Sequence, residues 1–311
     1  MAKAPLQFAM TRILLIDTSS VFFRAHHALP PMNTRAGAPT SALYGTSALL
    51  LKLLREEQPK AMAFALDAPE ATFRHEQFES YKGTRQPLPE PLRPQLARLP
   101  ELLAAFGVPA HRAPGFEADD VLATLARRLA GTDRAVRVVT GDRDLFQLVR
   151  QGVDVLFIGR RGEKPIVYDV AAVEKRFGVA PDRLPFLIAL VGDKSDNLPG
   201  VPGIGPRSGA KLVAMAESAA DLVEHAAEIR SAALRNAVLG AAEQICKTEH
   251  LARLRCDVEL REGPLAASVS KDAVPRLRAL FDELEFKSLL PRLDALEPLL
   301  AEAAAPVSTL V

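Results

Sequence analysis

The sequence predicts an α/β fold built on a parallel sheet and followed by an all-α region. Three observations predict it. Residues 13–16, 61–66 and 135–140 are short runs of small, aliphatic and β-branched residues, as expected of parallel strands covered on both faces. Helical patterns over residues 41–55 and 117–129 separate them. From about residue 169 onward the pattern becomes nearly all helical, and the sheet is expected to be finished there.

Each element has its own signal. The first strand ends on Asp17. The helix at 41–55 carries apolar residues at helical spacing and is stopped by Pro59. The second strand delivers another acid, Asp67. Pro87, Pro89, Pro91, Pro94 and Pro100 then crowd together, which argues against one regular helix and predicts a long connection ahead of a short helix at 101–106. The helix at 117–129 opens on Glu117 and has Gly131 just past its end. The third strand delivers Asp142 and Asp144. Residues 153–158 and 165–168 flank 159–164 as a hairpin, and residues 292–311 read as a fraying tail.

A chain of 311 residues has material for two domains and a sizeable core. Thirty-nine Lys and Arg against 38 Asp and Glu leave a net charge of +1, so bulk charge points to neither a nucleic-acid nor an acidic-lipid partner. Two cysteines, Cys246 and Cys256, without a His at ligand spacing, argue against a disulfide scaffold or a structural zinc site and fit a reducing cytoplasm. The first ten residues lack the pattern of a secretory signal, and no apolar run reaches 18 residues, so a soluble protein with no membrane partner is expected.

The informative feature is the acids. Asp17, Asp67, Glu117, Asp119, Asp120, Asp142, Asp144, Asp193 and Asp196 follow successive elements, most of them beyond the carboxyl ends of strands, where active sites of such sheets lie. So many carboxylates cannot share a pocket ionised unless cations join them. Oxygen donors without His or Cys select Mg²⁺ or Mn²⁺ over zinc. Two such ions could activate water and stabilise the leaving oxygen of a phosphodiester. Against this, acids in the first turn of a helix, such as Glu117, Asp119 and Asp120, are favoured by the helix dipole alone, and Asp142 and Asp144 could belong to an ordinary turn. Asp17 and Asp67 are harder to explain that way, since an acid closing an apolar buried strand is costly unless paired or metal-bound. An aspartyl-phosphate mechanism of the haloacid-dehalogenase type needs an Asp two positions after Asp17, where Ser19 stands, and no Walker-type phosphate loop is present.

Two segments suit nucleic acid. Residues 198–206, rich in Gly and Pro, precede a helical stretch with Arg207 and Lys211 on one face, the look of a helix-hairpin-helix gripping a duplex backbone, with Gly203 and Gly205 allowing the turn. Around residues 73–98, Phe73, Arg74, His75, Tyr81, Lys82, Arg85, Arg93 and Arg98 interleave aromatics with cations, which suits a single strand, although a solvated loop has the same composition. Arg24 is equally ambiguous.

Together, Ile16-Asp17-Thr18-Ser19, Phe23-Arg24-Ala25, Phe73-Arg74, Tyr81-Lys82-Gly83-Thr84-Arg85, Glu117-Ala118-Asp119-Asp120, Gly141-Asp142-Arg143-Asp144 and Gly192-Asp193-Lys194-Ser195-Asp196-Asn197 running into Gly203-Ile204-Gly205 carry a resemblance. From about residue 12 to 291 the chain resembles the 5′-nuclease (flap endonuclease) family, most of all the 5′-3′ exonuclease module of bacterial DNA polymerase I. The resemblance implies a PIN-like (resolvase-like) catalytic domain over residues 12–182, with a helical arch at about 72–106. It further implies an all-α helix-three-turn-helix domain over 183–291, containing the helix-hairpin-helix at about 198–213. It implies cleavage of branched or 5′-ended DNA, leaving 5′-phosphate and 3′-hydroxyl ends.

By motif, Asp17, Asp67, Glu117 and Asp119 would surround a first metal, and Asp142, Asp144 and Asp196 a second, directly or through water. Asp120 and Asp193 match acidic positions of less defined role. Lys82 and Arg85 match cations at the scissile phosphate, Arg24 and Arg74 match phosphate-binding positions, and Tyr81 a base-stacking one. A K⁺ ion in the helix-hairpin-helix, and a DNA polymerase and a ligase as partners, belong to the same implication; nothing requires more than a monomer. The sequence departs from the family in having Thr18 where Gly is usual and in lacking room for a polymerase, which predicts a free-standing paralogue or an excised domain. A non-catalytic branched-DNA binder and a PIN-type ribonuclease share some of these features.

Overall fold

The computed structural model describes residues 11–159 and 163–308. The segment behind the expected absence of a secretory signal, part of the expected hairpin turn and the last residues of the expected tail lie outside the described residues.

The chain opens with β1 (Thr11–Asp17), α1 (Thr18–Ala28), α2 (Ser41–Glu57) and β2 (Ala61–Ala65). β1 is central: it runs parallel to β2, with Asp17 beside Ala65. The 73–106 segment holds only two helices, α3 (Phe73–Gln77) and α4 (Leu92–Phe106), so the expected arch is a short helix, an irregular stretch and a long helix. α4 is longer than the sequence predicts because its prolines sit where they cost little. Pro94 lies in the first turn, whose amides lack partners anyway. Pro100 is exposed, which leaves the carbonyl it cannot pair with on the watered side of the helix. Gln95 then ties α4 to α2, accepting from the amide of Ala42 at 2.7 Å.

β3 (Ala110–His111) pairs with β2, and α5 (Ala118–Leu129) leads into β4 (Arg134–Thr140), which runs parallel to β1 on its other side. β5 (Val153–Phe157) is parallel to β4, and β6 (Ile166–Tyr168) turns back antiparallel as the expected hairpin. Alternation along β1 explains the layers. Ile13 and Leu15 face the core shared with α5, whereas Leu14 and Ile16 face that shared with α1, α2 and α4.

The helical region comprises α6 (Val170–Phe177), α7 (Leu184–Val191), α8 (Pro206–Val213), α9 (Ala219–Glu224), α10 (Ala232–Gly240) and α11 (Ala242–Ala252). Here the structure corrects the sequence reading twice. The sheet is not finished at residue 169: β7 (Ala266–Ala267) pairs antiparallel with β2, giving a mixed sheet in the order β6-β5-β4-β1-β2-β7. Nor do residues 292–308 fray. After α12 (Ala273–Glu283) and α13 (Leu290–Leu296), whose Leu293 and Leu296 are buried, β8 (Pro306–Val307) pairs with β7. Pro306 suits this outermost position, where a missing amide breaks no ladder. Among the described residues no helix is long and apolar enough to cross a membrane.

Candidate active site

Because β2, β1 and β4 are neighbours in the sheet, about 4.8 Å apart, the residues at or just past their carboxyl ends gather at one edge. Those residues are Asp67, Asp17 and Asp142. They line one cavity of about 1190 Å³ together with Glu117 and Asp119 at the start of α5. Drug-sized ligands fill about 300–1,000 Å³, so this cleft has room for part of a polymer. The cleft is also lined by Phe23, Leu29, Tyr44 and Leu49 of α1, α2 and the segment between them.

Each acid is placed by backbone geometry. Asp17 caps α1, accepting the Ser20 amide at 3.0 Å, and its other oxygen accepts the Thr140 hydroxyl at 2.6 Å. Asp67 accepts the Ala118 amide at 3.0 Å, joining the end of β2 to the start of α5. Asp142 accepts the Asp144 amide at 3.0 Å. Asp193 and Asp196 lie beyond α7 in a loop closed by reciprocal hydrogen bonds between Asp193 and Leu198.

The electrostatics bind these acids into one set. Burial pushes Asp17 up to about 7 against the hydrogen bonds from Thr140 and Ser20, with Asp142 and Asp67 adding repulsion. Burial raises Asp119 well above the carboxylate range, helped by Asp142 and Asp17. It raises Asp144 likewise, helped by Asp142, Asp193 and Asp196. Asp142 therefore repels acids on both sides of it, linking the sheet acids to those beyond α7.

Cations approach from the arch. Lys82 donates to Glu117 at 2.6 Å and stands 3.8 Å from Asp196, and Arg85 donates to Asp196 at 3.0 Å. Burial opposes the charge on Lys82, but Glu117, Asp196 and Asp119 outweigh it and hold its pKa above the ordinary lysine value, so it acts as a fixed cation. Lys82 and Asn197 both have left-handed backbones, at φ 55° and 56°. The Lys82 amide donates to the Asp196 carbonyl at 3.0 Å and Asn197 donates to the Ser80 carbonyl at 2.7 Å, so the strain lies where arch and helical region are stapled.

Three expected roles do not survive the geometry. Arg74, 1% exposed, is no phosphate ligand: its guanidinium holds both oxygens of Asp120, at 2.7 and 2.8 Å, and the carbonyl of Leu251. Asp120, fully buried, is occupied by that pair and by the amides of Glu117 and Arg255, so it has no room for a metal. Tyr81, 3% exposed, cannot stack on a base; its hydroxyl donates toward Asp196 at 2.6 Å and Glu117 at 3.0 Å. Burial and those two carboxylates raise its pKa far above the usual phenol value, keeping the proton in place.

Away from the cleft, Arg207 and Lys211 are exposed on α8, with Gly203 at a φ of 84° and Gly205 capping the helix. Arg24 lies at the cavity, donating to the carbonyls of Gly141 and Gly159. It crosses Gly141 so closely that any side chain there would collide with the guanidinium. The sequence reading missed Thr140 and Ser20. A polar residue ending an apolar strand, the signal that singled out Asp17, would have found Thr140.

Among the described residues no three His, Cys, Asp or Glu side chains already close into the ligand set of one ion. The donor chemistry nevertheless fits a hard divalent cation: carboxylates only, with Asp17, Asp119 and Asp144 raised by burial and then by their acidic neighbours, the first two on the wall of the cleft. Ligation would take side-chain rotation or bridging water, which Mg²⁺ commonly retains.

The sequence matches the family described as 5′-3′ exonuclease, N-terminal resolvase-like domain, over residues 12–178, and that described as 5′-3′ exonuclease, C-terminal SAM fold, over residues 179–273. It is 38% identical over 290 residues to DNA polymerase I of Bacillus caldotenax, covering 91% of this chain and 32% of that protein. It is also 38% identical over 296 residues to the thermostable DNA polymerase I of Thermus thermophilus, covering 95% and 35%. The chain thus spans about a third of the length of these relatives. In fold it is similar to T5 5′-exonuclease solved with bound divalent metal ions (zinc), at a TM-score of 0.64 and 19% identity, covering 92% of this chain and 100% of that one. It is similar as well to the catalytic core of Rad2 in complex with DNA substrate, at 0.58 and 17%, covering 93% of each. Since the first family match alone runs through more than half of the 311 residues, this chain belongs to the 5′-3′ exonuclease family.

Proposed function

We propose that the chain is a structure-specific 5′ nuclease that hydrolyses phosphodiester bonds in branched or 5′-ended DNA with two divalent ions, Mg²⁺ or Mn²⁺. The observation that carries this is the gathering of Asp67, Asp17 and Asp142 at one sheet edge, lining a cleft that Lys82 and Arg85 also line. Asp17, Asp67, Glu117 and Asp119 would hold one ion, and Asp142, Asp144 and Asp196, with Asp193 behind them, the other. The ions would supply an activated water and charge neutralisation at the leaving oxygen. Lys82 and Arg85 would orient the scissile phosphate and stabilise its developing charge. Arg24 would meet a neighbouring phosphate, and Arg207 and Lys211 would grip the duplex backbone without reading sequence. A product with 5′-phosphate and 3′-hydroxyl ends would be a substrate for ligation.

The test is incision of a labelled 5′ flap by the purified chain across a Mg²⁺ titration, beside a matched RNA flap. Ion-dependent cutting at the DNA junction is expected. Tight flap binding without cutting in Mg²⁺ or Mn²⁺ would make the chain a binder only, and preference for the RNA flap would make it a ribonuclease.

Lys82→Met should lower single-turnover cleavage about 10²- to 10³-fold, the scale of losing one charge-stabilising donor, while flap affinity in Ca²⁺ stays nearly constant. An affinity loss of the same size would place Lys82 in ground-state binding instead.

Ion binding should also leave a pH signature in stability. Asp17 has a folded pKa of about 7, above its ordinary 3.8, so the folded state holds the proton more tightly than the unfolded chain does. That contribution is present at low pH and is lost as pH rises from about 4 to about 7. A divalent ion would replace the proton, so the melting-temperature gain from Mg²⁺ should grow between pH 5.5 and 8. Comparing each pH with and without Mg²⁺ cancels distant groups such as the buried His111. A gain independent of pH would remove Asp17 from the ion site.

A further inference from the structure

We propose that Thr140, the last residue of β4, is the positioning residue that sets the two groups of ion-binding acids relative to each other. The inference rests on the ion-binding role given above to Asp17 and Asp142.

Thr140 is fully buried, and its hydroxyl is committed in both senses. It donates to Asp17 at 2.6 Å, an acceptor-only carboxylate when ionised, and it accepts the Asp142 amide at 2.8 Å. With Asp17 ionised, as a bound ion would keep it, the direction of the proton is thereby fixed. One oxygen atom connects the side chain that ends β1 to the backbone of the loop that follows β4. Ser20 makes a second brace beside it. The Ser20 amide holds the other oxygen of Asp17 at 3.0 Å, and its hydroxyl accepts the Gly141 amide at 2.9 Å. Both Asp17 oxygens are therefore anchored from the protein side, and each keeps a lone pair for the cleft.

Without the Thr140 hydroxyl, Asp17 loses the only side-chain donor that holds it among the described residues, and the Asp142 amide is left unpaired. Both acids then gain freedom that an ion must remove on binding. Partners that orient metal ligands in this way typically contribute about 10- to 100-fold to metal affinity. Ser20 cannot take over, because its contribution to Asp17 comes from its backbone amide and not from its hydroxyl.

The experiment is a Mn²⁺ titration followed by electron paramagnetic resonance, on the whole chain without DNA, with folding checked by circular dichroism. Thr140→Ser and Thr140→Ala both lack the methyl group and differ only in the hydroxyl, while Thr140→Val keeps the shape and lacks the hydroxyl. The inference expects the serine variant to bind Mn²⁺ within about twofold of the parent, and the alanine and valine variants to bind about 10- to 100-fold more weakly. The Mg²⁺ concentration that half-saturates flap cleavage should shift in the same order. Should valine prevent folding, the serine and alanine pair decides. Alanine binding as tightly as the parent, or serine losing as much as alanine, overturns the inference, the latter because packing would then be the cause. A parent that binds no Mn²⁺ would overturn the ion site itself, a result distinct from either.

Discussion

Replacing Asp142 by asparagine should lower flap cleavage by at least about 10³-fold and at the same time raise the stability of the ion-free protein. The two effects have one origin. Asp142 is the acid whose charge is felt by Asp17 and Asp119 on one side and by Asp144 on the other. A neutral residue there removes a carboxylate proposed for the second ion, so catalysis falls. It also removes repulsion from three acids that burial already disfavours in their charged form, so the fold relaxes. Each pKa unit released is equivalent to about 1.4 kcal/mol, and a net gain of about 1 kcal/mol is expected at pH 8 in chelator. Asparagine keeps the acceptor for the Asp144 amide, which alanine would lose. Single-turnover cleavage in Mg²⁺ and denaturant unfolding in EDTA measure the two sides. A variant that cleaves at the parent rate would take Asp142 out of the ion site, and one that is inactive because it is less stable than the parent would show that Asp142 serves the fold.

The strands that carry the acids were legible because parallel strands covered on both faces are continuous apolar runs, and a charge closing such a run needs an explanation. α4 was not, because prolines signal helix breaking without saying which side of the helix is wet. β3, β7 and β8, with two residues each, are too short to show a period, and so the return of the chain to the sheet after residue 265 was missed. The acids of α5 show a further limit. Asp119 and Asp120 are adjacent in sequence, yet consecutive helical residues point about 100° apart. One lines the cleft and the other meets Arg74 in the interior. A motif that contains both cannot assign them different tasks, and only packing tells which carboxylate faces a cation from the protein and which faces the cleft.

That division supplies the second large effect. Arg74→Met should destabilise the fold by about 3–5 kcal/mol, the cost of leaving a buried charge without its partner. Asp120 would be that charge, since the guanidinium bonds both its oxygens and is its only ion-pair partner among the described residues, the amides of Glu117 and Arg255 being neutral donors. The same side chain also reaches the carbonyls of Leu251 and Arg253, so it fastens the end of α11 to α3 and α5. Adding Asp120→Leu should recover part of the loss, because a pair replaced whole leaves no orphaned charge, while the carbonyls and the Glu117 and Arg255 amides remain unpaired. Denaturant unfolding of the parent, the two single variants and the double variant gives the coupling directly. The salt dependence of flap binding distinguishes this from the role the motif implies. If Arg74 neutralised a DNA phosphate, its replacement would lower the slope of log affinity against log salt by about 1, whereas the removal of an internal tie, measured below the melting range of the variant, should leave that slope unchanged. A small stability loss together with a reduced slope would return Arg74 to the DNA interface.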